Sequence, residues 1–207
     1  FKTLEEEVNE FASKRDIQTN AGEEFRYSNV GFNIAARVLE VVGKKPFDKL
    51  IQDRITRQIG MRGTTFSNED YNDAVNPSNG ARSTATDFTN FLAMLLGKGT
   101  FNNKQILTPA SVEMLHTLTT ENSKIKYAPK TVEGLNYALG EWILAADAQG
   151  KTSAVAVPSL KGTWVMMDIC RGYACVIFTK DLPGEQLRNV YLDIKSTIDN
   201  SIGGNCN

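Results

Sequence analysis

The amino-acid sequence predicts an α+β fold, and three observations lead to that prediction. Through residues 1–133, apolar side chains recur at the three- and four-residue spacing of amphipathic helices. Between residues 134 and 179, short apolar segments typical of β-strands take over. The chain then returns to helical spacing near its end. We therefore expect a helical part followed by an antiparallel sheet that a C-terminal helix covers.

Composition and charge narrow the possible functions. The chain has 207 residues, of which 41% are hydrophobic, and its 23 Lys and Arg nearly balance 24 Asp and Glu. This is a globular composition for one domain or part of one. Balanced charge argues against a nucleic-acid partner, which needs a basic surface. One histidine and three cysteines form no zinc-like pattern, so we expect neither a metal nor another cofactor.

The first helices are predicted from apolar spacing and from glycine and proline signals. An amphipathic helix is expected over residues 4–15, a second follows Asn29 and ends at Gly43, and a third runs from Pro46 to Gly60. The predicted inward-facing residues of the second helix are Ile34, Ala35, Val38, Leu39 and Val42.

Two more helices are predicted after an irregular connection over residues 61–82. Thr84 and Asp87 have the spacing of a capping box, which indicates a helix from this point to Gly97. Thr108 and Pro109 have the pattern of another helix start.

Three strands are predicted, over residues 137–144, 163–168 and 174–179, and the last two form a hairpin. Trp142 and Trp164 are expected in the core. A three-stranded sheet leaves edges that need protection, so we expect further strands upstream of Phe1. One face of the last helix is expected to be apolar, and its residues are Leu187, Val190, Tyr191, Ile194 and Ile198.

Two cysteines flank the predicted hairpin turn. A Cys170–Cys175 disulfide is possible there in an oxidising compartment. The alternative is that both thiols are buried and pack as small apolar groups. Cys206 lies in a Gly- and Asn-rich tail and is expected to be exposed, and Arg171 at the hairpin tip is expected to be solvated.

A long part of the sequence resembles one enzyme family. The segment over residues 22–66, which contains Tyr27, Ser28 and Asn29, resembles the second-motif region of the serine β-lactamase and penicillin-binding-protein-like family. Its class C β-lactamase, D-peptidase and esterase branch is the most similar. The segments that extend the resemblance are residues 79–88, 107–112 and 137–142.

The resemblance implies a β-lactamase/transpeptidase-like fold that is incomplete in this chain. Residues 1–207 would form one partial domain, with a mainly helical part over 1–133 and the strands and last helix over 134–207. The N-terminal strands and the helix with the nucleophile would lie upstream.

The resemblance also implies roles for two residues. In this family the serine of an S-x-x-K motif attacks a carbonyl and forms an acyl-enzyme. Tyr27, Ser28 and Asn29 match the family's Y-x-N motif. Tyr27 would be the general base and acid, with nearby positive charge favouring its phenolate, Asn29 would bind the substrate amide, and Ser28 would face away. Without the resemblance, Tyr27 would simply cap a loop and Asn29 would start a helix.

The nucleophile motif is not found where the family has it. The S-x-x-K match from Ser123 to Lys126 lies downstream of Tyr27 in a polar segment, which is typical of a chance match. We therefore expect the nucleophilic serine and its lysine upstream of Phe1, unless the chemistry has been lost.

The family's third motif, usually K-T-G or H-x-G, is also altered. Residues 158–164 occupy its neighbourhood, so Ser159 and Gly162 are candidate substrate-binding residues. Residues 151–153, Lys-Thr-Ser, resemble K-T-G more literally but align only with inserted residues. This strand matters because one of its backbone N–H groups normally completes the oxyanion hole.

The sequence thus predicts a serine hydrolase that transfers an acyl group from a β-lactam, a D-alanyl peptide or an ester. The N-terminal part of the same protein would be needed to complete the sheet and the site. The alternative is a catalytically inactive relative that binds cell-wall peptides or another ligand. The resemblance implies a periplasmic or secreted location.

Overall fold

A computed structural model describes residues 3–67, 75–159, 162–179, 188–204 and 206. It confirms the α+β class, and it has two compact units, Phe1–Phe91 and Leu92–Asn207. The α-helices are α1 (Leu4–Lys14), α2 (Asn29–Gly43), α3 (Phe47–Ile51), α4 (Ala85–Leu96), α5 (Pro109–His116) and α6 (Arg188–Ile202). The strands are β1 (Phe25–Arg26), β2 (Thr100–Phe101), β3 (Lys104–Gln105), β4 (Ile125–Tyr127), β5 (Asn136–Tyr137), β6 (Trp142–Ala146), β7 (Thr152–Pro158), β8 (Trp164–Asp168) and β9 (Tyr173–Ile177).

The first unit has a small core in which α1, α2 and α3 meet. Leu4, Ala36 and Phe47 are buried together in it. Thr3 caps α1, since the backbone N–H of Glu6 donates to its Oγ1 at 3.1 Å. After α3 the chain continues as a π-helix over Gln52–Thr56.

The predicted inward face of α2 is wrong. All five residues expected to point inward are exposed, namely Ile34, Ala35, Val38, Leu39 and Val42. The opposite side of the helix is fixed by polar contacts: Asn33 donates to Glu7 at 2.8 Å, and Arg37 pairs with Glu5 at 2.7 Å. These contacts lie on the side of α2 that faces the unit, and the apolar side of the helix is left exposed.

The predicted capping residue of α4 is confirmed, but the second half of the capping box is not formed. The backbone N–H of Asp87 donates to Thr84 Oγ1 at 3.0 Å. The Asp87 carboxylate does not accept a hydrogen bond from the backbone N–H of Thr84, as a complete capping box requires. It instead accepts hydrogen bonds from the Gly63 N–H at 2.8 Å and the Thr64 hydroxyl at 2.9 Å. This carboxylate therefore links the irregular connection to the start of α4.

The second unit contains a five-stranded antiparallel sheet in the order β5-β6-β7-β8-β9. The hairpin of β8 and β9 is confirmed, but the single strand predicted over residues 137–144 is two strands, with Gly140 at φ +90° between them. Strand β7 was not predicted at all. Its first five residues are buried and include two alanines, so it has neither alternation nor strong β-propensity to identify it.

Helix α6 packs against this sheet around a buried tryptophan. Trp164 is 1% exposed and stacks on Tyr191 of α6 with ring centroids 4.7 Å apart. Ala156 and Met166 complete the buried cluster. The core positions predicted for Trp142 and Trp164 are confirmed, since both are buried. In the predicted apolar face of the last helix, Val190 is exposed, and Leu187 lies outside the described residues.

The Cys170–Cys175 disulfide considered from the sequence is not formed. Cys170 forms its disulfide with Cys206, and Cys175 is free and half-buried. In the hairpin, Cys175 lies opposite Met166 of β8, whereas Cys170 lies in the turn beyond the paired residues. The C-terminal tail returns to this turn after α6, so the cysteine in the tail becomes the partner.

A charged cluster joins the hairpin turn to α6. Lys195 donates to the buried Asp168 carboxylate at 2.7 Å and to Asp199 at 2.8 Å. Arg171 was expected to be solvated, but this was wrong, since its guanidinium donates to Asp168 at 3.2 Å. The buried carboxylate needs compensating cations, and this need draws the arginine inward.

Two pKa values in this cluster are shifted. Burial and a 2.6 Å hydrogen bond to Asp199 raise the pKa of the Tyr173 phenol above its usual value. Burial alone would raise the pKa of the Asp199 carboxyl. Hydrogen bonds from Lys195 and Tyr173, together with the positive charge of Lys195 and Arg171, outweigh burial and hold that pKa below its usual value.

Candidate active site

Tyr27 lies between the end of β1 and the start of α2. It is half-buried, and its ring packs edge-on against Phe32 with centroids 5.5 Å apart. Burial raises the pKa of the Tyr27 phenol. The protonated form is therefore favoured here, and a base role for Tyr27 needs a further positive charge to stabilise the phenolate.

Asn29 is the first residue of α2 and its side chain is exposed. The N-cap position belongs to Ser28, whose side chain makes no capping hydrogen bond. The N-cap position considered for Asn29 is therefore occupied by Ser28, one residue earlier. Because Asn29 is not the N-cap residue, its exposed side-chain amide does not cap the helix. This amide has both a donor and an acceptor for a ligand.

Ser159 and Gly162 lie in the turn that connects β7 and β8. The backbone N–H of Ser159 donates to the Thr163 carbonyl at 2.8 Å, and the N–H of Gly162 donates to the Ser159 carbonyl at 3.1 Å. Gly162 has φ +87°, and its carbonyl accepts a 2.6 Å hydrogen bond from the Tyr191 hydroxyl. Both candidate backbone donors of this turn are therefore used within the turn itself.

The more literal match to K-T-G lies at the start of β7. The Lys151 side chain is exposed and pairs with Glu113 at 3.4 Å. Thr152 and Ser153 are buried within the strand. The Oγ1 atom of Thr152 is buried and has no hydrogen-bond partner among the described residues. This arrangement keeps the lysine and the hydroxyls in different environments.

The S-x-x-K match between Ser123 and Lys126 does not lie at a helix start like that of the family motif. Ser123 is in a 3-10 turn over Asn122–Lys124, Lys126 is in β4, and both are exposed. The two side chains are on different elements, as expected for a chance match.

The site residues predicted from the sequence thus fall in two places. Tyr27 and Asn29 lie around the start of α2 in the first unit, and Ser159 and Gly162 share the β7–β8 turn in the second unit.

One polar pair was missed from the sequence. His116 Nδ1 and Glu141 Oε2 lie 2.7 Å apart, and both side chains are 11% exposed. They are 25 residues apart in the sequence, and no local pattern indicates such a pair.

Neither a metal centre nor a membrane span is found in the part of the chain that the structure describes. No group of three or more His, Cys, Asp or Glu residues is arranged there to hold a metal ion. None of the helices within those residues has the length and apolar character needed to cross a bilayer.

The chain belongs to the Beta-lactamase family, whose sequence model matches residues 2–194. Solved structures similar to it include a candidate beta-lactamase from Bacteroides dorei, with 25% identity and a TM-score of 0.73. That match covers 94% of this chain and 64% of the other. A beta-lactamase/D-alanine carboxypeptidase from Yersinia pestis matches with 16% identity and a TM-score of 0.68, over 93% of this chain and 60% of the other.

Among curated proteins, the chain is similar to a D-alanyl-D-alanine-carboxypeptidase/endopeptidase, AmpH, from Escherichia coli K12. The two are 32% identical over 57 residues, which is 28% of this chain and 15% of the relative. The chain therefore spans less than two thirds of the length of each of these relatives.

Proposed function

We propose that the protein containing this chain is a serine hydrolase that transfers an acyl group from a β-lactam, a D-alanyl peptide or an ester. The observation that carries the proposal is the placement of Tyr27 and Asn29 around the first turn of α2, in a chain that belongs to the Beta-lactamase family. Its relatives include a D-alanyl-D-alanine carboxypeptidase. The nucleophilic serine and lysine would come from a part of the protein upstream of this chain.

In this proposal Tyr27 moves the proton of the nucleophile. Because burial raises the pKa of its phenol, Tyr27 needs a nearby cation before it can act as a base at neutral pH. The lysine of an S-x-x-K motif is such a cation, and its ammonium would lower the pKa of Tyr27. The exposed amide of Asn29 would hydrogen-bond the substrate amide.

In this proposal Ser159 and Gly162 are substrate-binding residues. Ser159 is exposed at the surface of its turn. We also propose a periplasmic or secreted location. The Cys170–Cys206 disulfide supports it, because disulfides persist in oxidising compartments.

The proposal is tested by covalent labelling of the full-length protein with a fluorescent penicillin and with a fluorophosphonate. We expect labelling of the wild type and its loss in Tyr27→Phe, because the serine then lacks its base. Tyr127→Phe is the matched control, since Tyr127 is an exposed tyrosine in the other unit and should keep full labelling. A folded wild-type protein that neither reagent labels would contradict the proposal.

A second candidate is a non-catalytic binding protein for cell-wall peptides. It is favoured by the β7–β8 turn, where the N–H groups of Ser159 and Gly162 are both bonded internally. An oxyanion hole needs donors that point at the substrate oxygen, and each missing donor costs about 3 to 4 kcal/mol of transition-state stabilisation. Turnover of a chromogenic ester or cephalosporin by the full-length protein would rule out this alternative.

A further inference from the structure

A polar cleft lies beside the π-helix that follows α3 in the first unit. Its volume is about 310 Å³, which is at the lower end of the range for small-molecule sites, roughly 300 to 1,000 Å³. Two stretches of chain on either side of Gly60 supply the side chains that line it, and these are Gln52, Thr56, Arg57, Met61, Arg62 and Thr64. We call this the 52–64 cleft. It contains none of the candidate residues of the proposed acyl transfer.

The π-helix and a glycine turn form the cleft. The backbone N–H of Arg57 donates to the Gln52 carbonyl, five residues earlier, at 3.1 Å. Gly60 then adopts φ +74°, and the N–H of Arg62 donates to the Gly60 carbonyl at 3.0 Å. This turn brings Arg62 to the same cleft as Arg57. Helical turns with five-residue hydrogen bonds are rare and occur frequently at functional sites.

Several side chains of the cleft have hydrogen-bond donors to spare. Within the described residues, the side chains of Gln52 and Arg62 form no hydrogen bond or ion pair. Thr56 is only 7% exposed, and its hydroxyl also lacks a hydrogen-bond partner in that part of the chain. The Thr64 hydroxyl, by contrast, already donates to Asp87 at 2.9 Å. The donors available to a ligand are therefore those of Gln52, Thr56 and the arginines.

The cleft lies in a basic part of the chain. Residues 44–62 contain six Lys and Arg and two Asp, a net charge of +4, although the whole chain has a net charge of −1. Asp53 of the π-helix pairs with Arg57 at 3.3 Å and also with Lys45 at 3.1 Å. Because Lys45 compensates this carboxylate, the charge of Arg57 can still attract an anion. Arg57 and Arg62 together make the cleft positive.

We propose that the 52–64 cleft binds a phosphate group, which is supplied by a free phosphate, a soluble phosphomonoester or a lipid headgroup. The two guanidinium groups of Arg57 and Arg62 match the charge of a phosphate dianion, and each has the planar fork that binds phosphate oxygens in pairs. The Thr56 hydroxyl and the Gln52 amide donate to the remaining oxygen. A carboxylate presents only two oxygens and would leave more of these donors unused. This inference does not depend on the proposed acyl transfer.

Isothermal titration calorimetry of the full-length protein with inorganic phosphate, at physiological ionic strength, tests the proposal. We expect the wild type to bind with a dissociation constant in the millimolar range or below. Arg62→Met should weaken phosphate binding at least about tenfold, because it removes charge-assisted hydrogen bonds. Arg62→Lys should recover only part of the affinity, since lysine keeps the charge and lacks the fork. Thr56→Val is a second probe, which removes a hydroxyl with little change in shape and should also weaken binding.

Arg54→Met is the matched control. Arg54 lies in the same π-helix and is exposed, but it does not line the cleft. This variant should therefore bind phosphate like the wild type, and circular dichroism checks that every variant is folded.

Two further probes identify the source of the phosphate. Tighter binding of glycerol 3-phosphate than of inorganic phosphate, lost in Arg62→Met, supports the proposal with a soluble phosphomonoester as the ligand. Cosedimentation with phosphatidylglycerol vesicles and not with phosphatidylcholine vesicles, again lost in Arg62→Met, supports it with a lipid headgroup. Binding of inorganic phosphate alone supports it with free phosphate.

Two results would overturn the proposal. The first is a folded wild-type protein that binds none of these probes at millimolar concentration. The second is an equal loss of binding in Arg54→Met and Arg62→Met, because the attraction then comes from the diffuse positive charge of residues 44–62 and not from the cleft.

Discussion

Helices α2 and α6 are both 15 residues long and amphipathic, yet they bury their apolar residues to opposite extents. Helix α6 packs Tyr191 on Trp164, with Ile194 and Ile198 beside it. Helix α2 turns its polar side, with Asn33 and Arg37, towards the first unit and leaves its apolar side exposed.

The difference lies in where each helix finds a partner. The sheet under α6 is formed by residues 136–177, which directly precede it in the second unit. For α2, the nearest elements in the first unit, α1 and α3, contact the side that carries Asn33 and Ala36. An amphipathic pattern therefore shows that a helix has an apolar face, but the pattern does not say whether the covering element belongs to the same chain.

The largest loss of stability is expected from a substitution in the buried core under α6. Trp164→Ala should lower the free energy of unfolding by about 3 to 5 kcal/mol, because it removes a buried aromatic ring and leaves a cavity under Tyr191. Urea unfolding followed by circular dichroism measures the loss. A loss below about 1 kcal/mol would show that α6 does not depend on this core.

A somewhat smaller effect is expected from the disulfide that fixes the end of α6. Cys170→Ser should destabilise the protein by about 2 to 4 kcal/mol, because Cys170 and Cys206 close a loop with a sequence separation of 36 residues. Thermal unfolding in the absence of reductant measures the change. Cys175→Ser is the control, since Cys175 forms no disulfide; a change of equal size in both variants would argue against the observed pairing.

The charged cluster of α6 should contribute less than the core. Lys195→Met leaves the buried Asp168 with Arg171 as its remaining cation and should cost roughly 2 to 3 kcal/mol at neutral pH. Lys45→Met is the control, because the exposed Lys45–Asp53 pair contributes less than about 1 kcal/mol. Equal effects of the two substitutions would show that burial of the pair is unimportant.

The charged cluster of α6 also predicts that the stability of the protein depends on pH. The folded pKa of Asp199 lies below its ordinary value, so its contribution to stability is complete above that ordinary value and is lost as the pH falls through the folded pKa. Lys195→Met removes a main cause of the shift. Unfolding measured at pH 7 and at pH 3 should therefore show a smaller difference between wild type and variant at the lower pH.

The smallest effect is expected on the exposed apolar side of α2. In the chain of residues 1–207, Val42→Ser should change the free energy of unfolding by less than about 0.5 kcal/mol, because Val42 is exposed and its polar replacement costs no burial. The same urea unfolding experiment measures it. A loss of unfolding free energy as large as that of Trp164→Ala would show that this chain already buries Val42. Helices α2 and α6 would then not differ in how far they bury their apolar residues.

Much of the secondary structure could be predicted from local patterns. The cap at Thr84, the helix start at Pro109 and the β8–β9 hairpin all depend on residues close in sequence, and all were found. Strand β7 could not be predicted in this way, because its first five residues are all buried and so lack the alternation that marks a half-exposed strand.

The candidate site was predicted from the sequence only as a set of residue types at matching positions. The sequence placed Tyr27 and Asn29 at a helix start because that pattern is local. It could not indicate that burial raises the pKa of Tyr27, or that the Ser159 and Gly162 N–H groups are bonded within their own turn. The first property depends on how the surrounding chain packs against Tyr27, and the second on the backbone conformation of the turn.

The sequence by itself determined the α+β class, the family and the amphipathic character of α2 and α6, because composition, periodicity and motif spacing are properties of neighbouring residues. Only the tertiary structure decided that Cys170 pairs with Cys206, that Arg171 turns inward to Asp168, and that α2 leaves its apolar side open. These outcomes depend on contacts between residues far apart in the chain. The disulfide depends on the return of the C-terminal tail to the hairpin turn, and Arg171 turns inward because the buried Asp168 carboxylate needs a compensating cation.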